Sequence, residues 1–192
     1  MKKTLFLSII LAFFYSGCFS VPNLNPFSKE EKKIEKKEIQ IPKDAPSWVF
    51  EAKMSGYITQ LGVTTNIDKK EFDFHRKKAL INASHKLTKK IYVRTLKLYK
   101  DYEEEKEKAS TYDKDIKKFS EHISLKSLTH SRIKNIWVSK DNQLFIQIAV
   151  ESDIVTKQIQ NTSKLLFDVD QDLYRAFLSN RAQKDINNIL EE

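Results

Sequence analysis

The chain has one cysteine and three glycines in 192 residues, and none of its four prolines lies beyond residue 46. A single thiol excludes an internal disulfide and any zinc site built on paired cysteines. Gly17, Gly56 and Gly62 are too few and too scattered for a phosphate-cradling loop, and no serine sits in a glycine-flanked nucleophile elbow. His75, His85, His122 and His130 include no pair three or four residues apart, so no metal-ligand spacing is present. Glu71 and His75 stand one turn apart, a spacing that on a charged helix usually marks solvated neighbours. These absences predict a chain without catalytic residues, metal or cofactor. Long apolar runs are missing too. The longest, Leu5 to Phe14 with one serine inside it, is about half of the roughly 20 residues that a membrane-spanning helix needs.

What is present at the amino terminus gives that short run a different meaning. Lys2 and Lys3 precede it, and Ser16 and Gly17 follow it directly ahead of Cys18, the only cysteine. A positive start, an apolar core and small residues before a cleavage point form a secretory leader. The arrangement resembles the lipobox of bacterial lipoproteins, with Tyr15 where an aliphatic residue is usual. The expectation is removal of residues 1–17 and lipidation of Cys18. One acyl chain holds a protein weakly, whereas two or three, at about 0.8 kcal/mol per buried CH₂, make escape negligible. Phe19 follows Cys18 in place of the aspartate that signals inner-membrane retention, which favours the outer membrane.

All four prolines, Pro22, Pro26, Pro42 and Pro46, fall between Cys18 and Trp48, around the charged run "SKEEKKIEKKEIQ". Such a segment has nothing to bury, so residues 18–46 are expected to form a tether. The formal charge of +8 is spread over interleaved Lys and Glu and leaves about +5 on residues 47–192, too diffuse to indicate nucleic acid as a partner. The basic pieces "HRKK" (residues 75–78) and Lys89-Lys90 on one helix read as a solvated face.

Residues 47–192 carry the composition of a folded domain. "YITQLGVTTN" reads as a strand with Tyr57, Thr59, Leu61 and Val63 on one side and Ile58, Gln60 and Gly62 on the other. Asn66 and Asp68 offer caps for a helix over about 70–109, whose inner face is Phe72, Ala79, Leu80, Ala83, Leu87, Ile91 and Leu98. "STYD" (residues 110–113) breaks it, and Ile116, Phe119 and Ile123 mark a second helix. "SRIKNIWVS" and "QLFIQIAVE" flank Lys140-Asp141-Asn142 as an antiparallel hairpin, with Leu144, Ile146, Ile148 and Val150 toward the helices. Residues 152–192 read as helical. Val155, Ile159, Leu166, Val169, Leu173 and Ala176 form its apolar seam, and the end beyond Phe177 looks polar enough to fray. The predicted class is α+β: a small antiparallel sheet of about three strands, with the long helix and a C-terminal helix packed on one face.

The opening "PSWV" (residues 46–49), the glycine-containing strand, the helix "RKKALINASHKLTKKIYV" and the hairpin "NIWVSKDNQLFIQIAVESDIV" are similar to the LPP-twenty lipoprotein family of Helicobacter, Campylobacter and relatives over residues 46–157. That resemblance implies an outer-membrane or surface lipoprotein, with flagellum-associated members among its relatives, and no catalytic residues. The partners expected are the membrane through the lipid anchor and either further copies of the chain or envelope and flagellar proteins, with no nucleic acid. The competing expectation is a periplasmic module that binds a small ligand or glycan in a cleft between sheet and long helix, lined by Phe72, Tyr92 or Trp137.

Overall fold

The computed structural model describes residues 40–106, 112–167 and 170–192. Cys18, the leader 1–17 and most of the 18–46 tether lie outside the described residues, as do part of the "STYD" break and Val169 of the seam. Among the described residues the order is α1 (Ser47–Phe50), β1 (Tyr57–Thr64), a 3₁₀ turn (Lys69–Glu71), α2 (Phe72–Glu105), α3 (Asp113–Leu128), β2 (Arg132–Val138), β3 (Leu144–Glu151), α4 (Ser152–Leu166), α5 (Gln171–Asn180) and α6 (Gln183–Glu191). The fold is α+β, with three antiparallel strands in the order β1-β3-β2.

Alternating side chains give the sheet two faces. Ile58 pairs with Val150, Gly62 with Ile146 and Thr64 with Leu144, so the face read from the hairpin sequence is the one that meets the helices. Its apolar residues join Ala79, Ala83, Leu87, Ile91 and Leu98 of α2 in one core. Gly62 sets the approach. A Cβ built there would stand 2.0 Å from the Ala79 carbonyl oxygen and 2.8 Å from the Ala83 Cβ, so only glycine lets α2 lie this close on β1. The other face is also buried at Phe145, Gln147 and Ala149. There α1 packs on β3, the Thr59 hydroxyl donates to the Ala52 carbonyl, and Trp137 rests on Phe145 with ring centroids 5.3 Å apart. Helical cover on one face alone therefore understates the burial, because the turn containing Val49 closes part of the second face.

Asp68 accepts from the Lys70 amide at 2.9 Å and starts the helical run, as its cap chemistry predicts. Phe72 is exposed and does not belong to the inner face of α2. The C-terminal half of α2 instead buries Tyr99 and Tyr102, which stack and edge against Phe167 and Phe177. The two phenols donate to the carbonyls of Ile159 (2.9 Å) and Leu173 (2.8 Å), so their polar ends are satisfied inside the core.

The tail is three helices and not one. Asp170 caps α5 by accepting from the Leu173 amide at 2.9 Å, and α6 folds back beside α4 and α2. Fraying beyond Phe177 is not observed: Ile186 and Leu190 are fully buried. The polar residues that suggested a loose end are structural, since Asp153 accepts from Gln183 at 2.8 Å and from Asn187 at 2.6 Å, and the Thr156 hydroxyl donates to Asn187 Oδ1 at 2.5 Å.

Candidate functional site

At Gly62 the sheet and the long helix are in direct contact, with no cleft between them there. Phe72, Tyr92 and Trp137 do not converge either. Phe72 lines an open surface depression of about 610 Å³ with Lys69, Lys70, Glu71, Asp73 and Phe74, whereas Trp137 lies on Phe145 on the sheet face away from α2. His85, His122 and His130 are exposed. His75 is largely buried, where its Nε2 accepts from the Asp68 amide at 3.4 Å, a packing role at the start of α2. Among the described residues no group of three His, Cys, Asp or Glu is placed to hold a metal ion.

What the tertiary structure does bring together is apolar surface. With 34 residues α2 is about 51 Å long, and the 16-residue α3 that packs along it measures about 24 Å. On the N-terminal half of α2, Phe74 and Ile81 are 60% and 69% exposed. They are seven residues apart, two turns along one helix face. On β2 the register sets Ile136 opposite Ile146 and Val138 opposite Leu144, on the helix side of the sheet. Because α2 crosses β1 and β3, these two β2 side chains stay 45% exposed, as does Leu125 near the end of α3. The result is an apolar strip, Ile136 and Val138, on the edge strand β2 and a separate exposed apolar pair, Phe74 and Ile81, on α2.

Ile136 and Val138 were visible in the sequence as strand residues, but their exposure depends on β2 being the outer strand. Phe74 and Ile81 carry a weak signal, since both lie off the Ala79-Ala83-Leu87 stripe. β2 blunts its own edge in part. The register shifts between Ile133 and Asn135, a bulge that leaves Lys134 free to reach over the Tyr57 ring at 4.1 Å from its centroid. No family model matches the chain, and no curated protein or solved structure does. Among the described residues no helix is long and apolar enough to cross a membrane.

Proposed function

We propose that this chain is a non-catalytic structural lipoprotein of the bacterial envelope, anchored in the outer membrane by acyl chains on Cys18. Its α+β domain associates with further copies or with an envelope or flagellar protein. The observation that carries the association is the exposed apolar strip of Ile136 and Val138 on the edge strand β2, left open by the cover of α2, with Phe74 and Ile81 also exposed on α2. The anchor rests on the sequence around Cys18, and the likeness to the LPP-twenty lipoproteins points the same way.

Two measurements test the two halves separately. Labelled palmitate fed to expressing cells should enter the wild-type chain and not Cys18→Ser, which should leave the membrane fraction; continued membrane fractionation of that variant refutes the anchor. A photo-cross-linker at Ile136 should capture a neighbour in intact cells, and Val138→Lys, on the same face of β2, should diminish that capture several-fold. Equal capture by a cross-linker at exposed Lys117, on α3, would refute the strip as the contact surface.

A further inference from the structure

Arg76, Lys77, Lys78 and Lys89 are exposed, as a solvated face requires, whereas Lys90 and Arg94 are partly buried. Lys86, Lys90 and Arg94 recur every four residues on the side of α2 that meets the open edge of β1. Together with Lys89, Gln60 and Val93 they line a shallow, open cleft of about 350 Å³. Lys53, from the segment before β1, is close enough for its charge to act on Lys90. Like charges four apart destabilise a helix, so this stripe opposes the stability of α2 itself.

Two of these cations are tied to backbone. Lys86 Nζ donates to the Leu61 carbonyl at 3.0 Å, and the Arg94 guanidinium donates to the Leu190 carbonyl, which holds both heads at the cleft. Lys90 is half-buried between them, and no described carboxylate pairs with it. Burial first, then Arg94 and Lys53, bring its pKa down to about 8. Burial likewise lowers Lys86 and Arg94, and the Glu192 carboxylate acts on Arg94 in the opposite direction. Such a site gains most from an incoming anion, which relieves the repulsion and meets a guanidinium fork and ammonium groups already positioned.

We propose that the cleft formed by Lys86, Lys89, Lys90, Arg94 and Gln60 binds a phosphate group, carried by a lipid headgroup or by a soluble phosphate ester. A dianion or diester suits several converging cations better than a lone carboxylate does, and the cleft is larger than phosphate itself. Val93, exposed at its rim, offers apolar contact to the remainder of the ligand. The assignment does not rest on the anchor at Cys18.

The full-length chain in uncharged detergent micelles is titrated with glycerol phosphate, and separately its thermal midpoint is followed in micelles doped with phosphatidylglycerol or with phosphatidylcholine. At least one phosphate source should bind, and Lys90→Gln should weaken that binding about tenfold or more, whereas Lys117→Gln on α3 should not. Binding of glycerol phosphate identifies a soluble ester as sufficient; a response to phosphatidylglycerol alone identifies the lipid headgroup. Without phosphate, Lys90→Gln should raise the thermal midpoint, since it removes a half-buried like charge. No binding of either source, equal weakening by Lys117→Gln, or a lower midpoint of ligand-free Lys90→Gln would overturn the proposal.

Discussion

Gly62 shows how one missing side chain sets the helix–sheet distance. A methyl group there meets the Ala79 carbonyl, which cannot turn aside without moving α2. Gly62→Ala should therefore cost about 3 kcal/mol in chemical denaturation, at the upper end of overpacking effects. Buried phenols make a second residue-scale prediction. Burial pushes Tyr102 up to about 12, with Arg181 opposing and Glu105 and Asp170 adding to the rise, and burial also raises Tyr99. An unfolded tyrosine ionises near pH 10, so these groups leave stability unchanged below about pH 10. Between about 10 and about 12 the unfolded chain releases its protons first, and stability falls. Denaturation midpoints across that range, read with phenolate absorbance, should show Tyr102→Phe losing part of this pH dependence. At neutral pH the same variant should lose about 1 kcal/mol with its bond to the Leu173 carbonyl.

At the scale of elements, α6 is the part whose behaviour differs most from its appearance in the sequence. Its apolar residues, Ile186, Ile189 and Leu190, are only three in nine positions, yet Ile186 and Leu190 are fully buried and Ile189 packs against the core. Ile186→Ala should destabilise the protein by about 3 kcal/mol, the usual cost of emptying a closed site. Asp153, on α4, is hydrogen-bonded by Asn187 and Gln183, and those bonds lower its pKa. Its support for α6 is present above the ordinary carboxylate range and is lost as pH falls through the lowered value. Protection of the α6 amides, relative to their intrinsic exchange at each pH, should fall in acid, and Asp153→Ala should show the reduced protection already at neutral pH while α2 stays protected. The helix α2 and the β2–β3 hairpin were legible in advance, because long periodic or alternating runs report local geometry. The division of residues 152–192 into α4, α5 and α6 was not. The Asp170 cap and the pairing of Asn187 with Asp153 gain their meaning from helices brought together by folding.

Over the whole domain, α2 contacts β1, β3, α3 and α6, and the aromatic cluster at its C-terminal half continues the core into α4 and α5. No element described here has a core of its own. Unfolding should be one cooperative transition, with tryptophan fluorescence from Trp48 and Trp137 coinciding with loss of helical circular dichroism; separate midpoints would contradict it. The leader, Cys18 and the proline-bounded tether are expectations that local sequence alone supports, since export signals and anchors act through short contiguous stretches. The α+β class was equally readable, because periodicity depends on neighbours along the chain. Which strand stands outermost, whether α2 leaves room for a ligand, and which lysines lose their water depend on residues far apart in the sequence. Packing decided those: Gly62 against Ala79 left no cleft at that contact, the reach of α2 left Ile136 and Val138 bare, and the edge of β1 drew Lys90 out of solvent.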